Sequence, residues 1–156
     1  MVKLKIKIGE IMKILVVNGP NINMLGKREP EIYGSTTMDE INSELVEYAK
    51  TISNDIEFEF FQSNHEGEIV DKIQQASEFD GLIINPAAYT HTSVAIADAI
   101  KAIGIKAIEV HISNPHARED YRKISYTAGA CVGVVAGFGK DSYKLALCGL
   151  YKKINE

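Results

Sequence analysis

The chain predicts a three-layer α/β sandwich, a five-stranded parallel sheet between two layers of helices. Three observations carry this. Five short strand-like segments, apolar or alternating, recur along 156 residues, helical stretches separate them, and a hydrophobic content of 46% fills one core without leaving enough for a second domain.

The first strand is the run Ile14-Leu15-Val16-Val17. It feeds NGPNINMLGKREPEIYG at residues 18–34, whose density of Asn, Gly and Pro marks a long loop. Thr37 to Glu40 reads as a capping box, and Ile41, Leu45, Tyr48 and Ile52 carry a helix on to about Ser53. Ile56, Phe58 and Phe60 alternate with Glu57 and Glu59, the pattern of a strand with one wet face at a sheet edge. Ile69, Ile73 and Ala76 mark a second helix. Leu82-Ile83-Ile84 is wholly apolar, as befits a parallel strand covered on both faces. A helix over 95–102 follows, with Thr92 and Ser93 as candidate caps. Then come a strand over 105–112, a short helix over 115–123, a strand over 130–136 and a last helix over 142–154. Right-handed crossovers through these helices give a flavodoxin-like sheet of order 2-1-3-4-5, with the half-polar second strand at an edge.

Residues 1–11 stand apart as an N-terminal extension of uncertain structure, with residues 12–156 forming a single α/β domain. Val2, Leu4, Ile6 and Ile8 alternate with Lys3, Lys5 and Lys7, which is a strand pattern, and Met12 is itself a plausible start. The segment reads as an added edge strand, a loose tail or an upstream start.

A formal net charge of -4 argues against a nucleic-acid binder, which would carry a basic excess on at least one face. No apolar run reaches the ~18 residues of a membrane span, and no signal peptide opens the chain. Cys131 and Cys148 lack CxxC spacing and read as small buried free thiols, which suits a reducing cytoplasm.

Open α/β sheets take ligands beyond the carboxyl ends of their strands, where the winding reverses. That rim collects Asn18-Gly19-Pro20-Asn21 after the first strand, residues 85–93 after the third, and Ile112, Ser113, Arg118 and Arg122 after the fourth. On the expected short helix, Arg118 and Arg122 stand four apart and share a face that suits one carboxylate or phosphate, or else they form a solvated pair beside Glu119 and Asp120. His111 ends the fourth strand, with Glu109 two residues earlier on the same face. A carboxylate in so apolar a run needs a partner, and there it holds the imidazole in one tautomer for general-acid work or simply satisfies a structural histidine. His91 is either a ligand-binding or a capping residue. Within 18–34, Gly26 and Gly34 bound a segment carrying Arg28 and Tyr33, which reads either as a lid with an arginine-supported tyrosine base or as loop packing. Gly137-Phe138-Gly139-Lys140 fails both the phosphate-loop and the dinucleotide patterns, and no close-spaced metal ligand set occurs. The expectation is a cofactor-free site of Asn, His, Tyr, Ser and Arg for a small oxygenated anion.

Four stretches in order, NGPNINMLGKREPEIYG (18–34), QSNHEGE (62–68), NPAAYTHTS (85–93) and EVHISNPHAREDYR (109–122), together resemble the type II 3-dehydroquinate dehydratase family from about Met12 to the C-terminus. Ile22 and Met24 depart conservatively from expected leucines, and the first eleven residues lie outside the pattern. The resemblance implies a cofactor-free anti elimination of water from 3-dehydroquinate through an enolate, giving 3-dehydroshikimate in the shikimate pathway. It implies Tyr33 as proton acceptor, Arg28 as transition-state stabiliser, Asn21 as enolate stabiliser, His111 as proton donor and Glu109 as the residue that orients it. Asn85, Ala87, His91, Ile112, Ser113 and Arg122 match substrate-binding positions, and Arg118 a lid arginine. The family's trimers pack into a homododecamer in which the position of Asp98 reaches a neighbouring subunit's site. Another small polyhydroxy carboxylate as substrate, a Schiff-base route through Lys27, or a binding module without chemistry are the competing readings.

Overall fold

The computed structural model describes residues 9–156, so the strand pattern at residues 2–8 lies outside the described residues. Five strands, β1 (Met12–Asn18), β2 (Ile56–Gln62), β3 (Gly81–Asn85), β4 (Ala107–His111) and β5 (Gly133–Ala136), form one parallel sheet of order β2-β1-β3-β4-β5. The helices are α1 (Pro30–Tyr33), α2 (Met38–Ala49), α3 (Glu66–Gln74), α4 (Val94–Ile103) and α5 (Asp141–Asn155). Among the described residues no helix is long and apolar enough to cross a membrane.

Side chains alternate across a strand, so each central strand feeds two cores. Ile14 and Val16 of β1, Ile83 of β3 and Val110 of β4 join Leu45 of α2 and Leu147 and Leu150 of α5 on one face. On the other, Leu15, Val17, Leu82 and Ile84 meet Ile69 and Ile73 of α3 and Ile96 and Ile100 of α4. Burial on both sides is why these runs are continuously apolar, and each such side chain contributes about 1.5–3 kcal/mol. Strand β2 has only β1 beside it and keeps Glu57 and Glu59 exposed, as its polar alternation requires.

Two helices begin where their caps dictate. The Thr37 hydroxyl accepts the Glu40 N–H at 3.2 Å while Glu40 accepts the Thr37 N–H at 2.7 Å, closing the capping box. Ser93, rather than Thr92, caps α4 by accepting the Ile96 N–H at 3.0 Å.

Three expectations need correction. Residues 115–123 form no helix but two 3-10 turns, Pro115–Ala117 and Asp120–Lys123, separated by Arg118 in an extended conformation. The Asn114 side chain accepts the His116 N–H at 3.1 Å, a local turn that competes with helix. Strand β5 starts three residues late, because Ala128–Ala130 is drawn into a 3-10 turn. Neither cysteine is fully buried; both are half-buried free thiols.

Candidate active site

The carboxyl ends of β1 and β3 are locked together before any ligand-facing group is considered. The Gly19 N–H donates to the Asn85 carbonyl at 2.7 Å, and a Cβ on Gly19 would lie 2.4 Å from the Pro86 carbonyl oxygen, so only glycine fits. Buried Tyr143 of α5 bridges the same two strand ends. Its hydroxyl donates to Asn18 Oδ1 at 2.6 Å and accepts from Asn85 Nδ2 at 3.0 Å, and burial pushes its acidity down. Asn85 Oδ1 in turn accepts the Ala87 N–H at 3.1 Å, where Ala87 is held at a φ of 53°. The rim is therefore fixed by a connected polar network in which each buried amide has a partner.

Behind that rim opens a cavity of about 150 Å³. Asn21, Arg28, Tyr33, Asn85, Ala87, His91, His111, Ile112, Ser113, Arg118 and Arg122 all line it. Glu109 stands behind His111, 1% exposed, with its Oε2 3.3 Å from His111 Nε2. Asp98 is exposed on α4 and lies outside the cavity. Lys27 is exposed and does not line it either.

Residues 26–34 are turned by a left-handed Gly26, packed against the Ser35 carbonyl, and by Glu29 at φ 40°, with Pro30 at the first position of the one-turn helix α1. This delivers Tyr33 to the cavity wall. The Arg28 guanidinium lies 5.1 Å from the centre of its ring, with Nη2 3.4 Å from the hydroxyl. Arg118 approaches the same ring at 5.3 Å while donating to the Ser113 hydroxyl at 3.2 Å. Thus Arg118 and Arg122 reach one cavity although they share no helix face. Arg122 Nε is engaged by Glu119 at 2.7 Å, and Glu119 is held below the usual carboxylate range first by its own backbone N–H and then by Arg122.

Glu109 shows how a carboxylate survives in an apolar sheet. Burial alone would raise its pKa; hydrogen bonds from His111, Thr127 and Ser125 outweigh that, and the net shift is downward. Ser125 and Thr127 were not legible as site residues, nor were Tyr143, Asn64 and Gln62. Asn64 Oδ1 accepts the Asn21 N–H at 3.0 Å and so steadies the first rim loop, in which Asn21 is left-handed at φ 68°.

Fold and site define a flavodoxin-like α/β protein that presents asparagine, arginine, tyrosine and a carboxylate-held histidine to a small polar ligand at the switch point of its sheet. The sequence profile of dehydroquinase class II matches residues 12–151. The 3-dehydroquinate dehydratase of Helicobacter hepaticus is 56% identical over 147 residues, covering 93% of this chain and 92% of the relative. That of Geotalea daltonii is 56% identical over 146 residues, 93% of this chain and 100% of its own length. The crystal structure of type II dehydroquinase from Butyrivibrio crossotus superposes with a TM-score of 0.86 at 49% identity, covering 90% of this chain and 98% of that one. The chain belongs to the class II dehydroquinase family.

Proposed function

We propose that the protein is a hydro-lyase that dehydrates 3-dehydroquinate to 3-dehydroshikimate in the shikimate pathway, with residues 12–156 as its catalytic domain. One observation carries the reading: a tyrosine flanked by two guanidinium groups and a histidine backed by a carboxylate line the same cavity. Elimination beside a ketone needs a base, a stabiliser for the enolate oxygen and an acid for the departing hydroxyl. Tyr33 takes the C2 proton, and the charges of Arg28 and Arg118 offset the negative charge its oxygen must carry to do so. Electrons flow into the C3 carbonyl, whose oxygen is held from the Asn21 side. The C1 hydroxyl then leaves with a proton from His111, and carbon–oxygen bond cleavage restores the ketone as a conjugated enone. Net loss is one water.

Asn85, Ala87, His91, Ile112 and Ser113 hold the ring hydroxyls and Arg122 the carboxylate, while Arg118 closes with residues 26–34. No cofactor enters the scheme. The protein works in the cytoplasm as a homododecamer of trimers, with Asp98 supplied to a neighbour's site, in keeping with its exposed place on α4. Adding 3-dehydroquinate to the purified protein gives a rise in ultraviolet absorbance from the enone. A flat trace from well-folded protein would overturn the assignment.

A further inference from the structure

Ser125 and Thr127 line no part of the cavity, yet both turn their hydroxyls onto Glu109. We propose that they are positioning residues for the proton donor: they hold Glu109 as an acceptor-only carboxylate, so that the proton of the Glu109–His111 pair resides on the imidazole that faces the substrate.

Counting hydrogens supports this. The Ser125 oxygen accepts the Ala128 N–H at 2.9 Å, and its own proton finds a nearer and stronger acceptor in the carboxylate, whose two oxygens both lie 3.1 Å away, than in the Thr127 hydroxyl at 3.3 Å. Thr127, wholly buried, stands at the N-cap of the 128–130 turn and caps nothing; its hydroxyl donates to Glu109 Oε1 instead. His111 Nε2 meets Oε2. Glu109 therefore faces two hydroxyl donors and the imidazole edge, and an ionised carboxylate, acceptor at both oxygens, suits that arrangement best. A proton moved from the imidazole to Oε2 would leave both hydroxyls donating to a neutral carboxyl, a weaker acceptor, so the two hydrogen bonds favour the ionised form.

The other neighbours offer Glu109 nothing. Its strand partners are Ile84 and Val134, both apolar. Cys131 is the remaining titratable neighbour; burial first, and then the Glu109 charge, push its thiol up to about 12, so it stays neutral. On the cavity side, His111 shares the space with Tyr33, His91, Arg28, Arg118 and Arg122. Without the two hydroxyls, a buried carboxylate beside an imidazole takes the shared proton itself, and the pair loses its acid.

The inference rests on the dehydratase reading, and its test separates the two. Profiles of kcat and KM against pH are recorded with 3-dehydroquinate for the unmodified protein, Thr127→Val, Ser125→Ala with Thr127→Val, and Thr127→Ser, with thermal melts beside each. Thr127→Val is expected to lose about 10-fold or more in kcat with KM little changed, and the double variant more. The alkaline limb moves to higher pH, since the proton now sits on Glu109 and is held more tightly. Thr127→Ser keeps the hydroxyl and restores both. A lowered kcat with the limb unmoved, an undiminished kcat, or a Thr127→Ser variant as impaired as Thr127→Val overturns the proposal. Should the valine variants not fold, Ser125→Ala alone decides by the same limb, with a smaller shift in the same direction. An inactive unmodified protein would instead remove the dehydratase reading.

Discussion

The two halves of the site are built in opposite ways. His111 sits at the end of an interior strand, buried with Glu109 and Thr127 behind it, and half-buried Ser125 completes the hydrogen bonds onto Glu109 of the sheet. Tyr33 sits on a one-turn helix between two left-handed glycines, half-exposed, held by Arg28 and Arg118 from the cavity side. In the proposed mechanism the acid is thus part of the frame, whereas the base is carried by a segment with little burial of its own. Local opening free energies follow buried contact, so the segment carrying Tyr33 is expected to open more readily than the strand end carrying His111.

That contrast can be broken at several levels. The largest effects come from the reacting groups: Tyr33→Phe and His111→Ala each lower kcat by about 10²–10⁴-fold with KM changed far less, measured by the enone assay. If the frame matters as argued, Gly19→Ala forces the first two rim loops apart and costs about 1–3 kcal/mol in urea unfolding, with KM raised, because the added Cβ would lie 2.4 Å from a backbone oxygen. Tyr143→Phe leaves Asn18 Oδ1 without its donor and costs about 1–3 kcal/mol.

A pH experiment reaches the acid side alone. Glu109 has its pKa lowered by folding, so its contribution to stability is present above the ordinary carboxylate range and is lost as pH falls through its depressed folded value. Melting temperature followed downward from neutral pH drops in that acid window, and Glu109→Gln flattens the drop; an equal slope in both proteins would exclude Glu109 as the source. The smallest effect concerns the moving half. Trypsin should cut after Lys27 or Arg28 in the free protein several-fold faster than with substrate bound, and equal rates would mean that the segment is seated before substrate arrives.

How much of this was legible in the sequence depended on whether the signal was periodic. The sheet order followed from runs such as Leu82-Ile83-Ile84, because burial on both faces leaves a strand no polar position. The cavity residues were legible because they stand at strand ends and in the loops that follow them, where the topology puts ligands. Residues 115–123 misled because i, i+4 spacing of arginines resembles a helix face, while the deciding element was an asparagine side chain bonding to backbone two residues on. Ser125 and Thr127 carried no pattern: they meet Glu109 across separations of 16 and 18 residues through a turn that only the folded chain defines. Tyr143 falls in the first turn of the last helix, and nothing local betrayed that its hydroxyl ends among asparagines.

The Tyr143 bridge also has a consequence for how the protein is made. Asn18 precedes Tyr143 by 125 residues and Asn85 by 58, so the strand ends that frame the ligand emerge from the ribosome well before the hydroxyl that joins them. At roughly 5–20 residues per second, the older partner waits on the order of ten seconds. During that interval the two amides lack their Tyr143 partner, and a nascent chain arrested before α5 contains the cavity-lining residues without a finished rim. A finished rim is therefore expected only once α5 has emerged, and released fragments ending short of residue 143 should be inert even where they retain Tyr33 and His111.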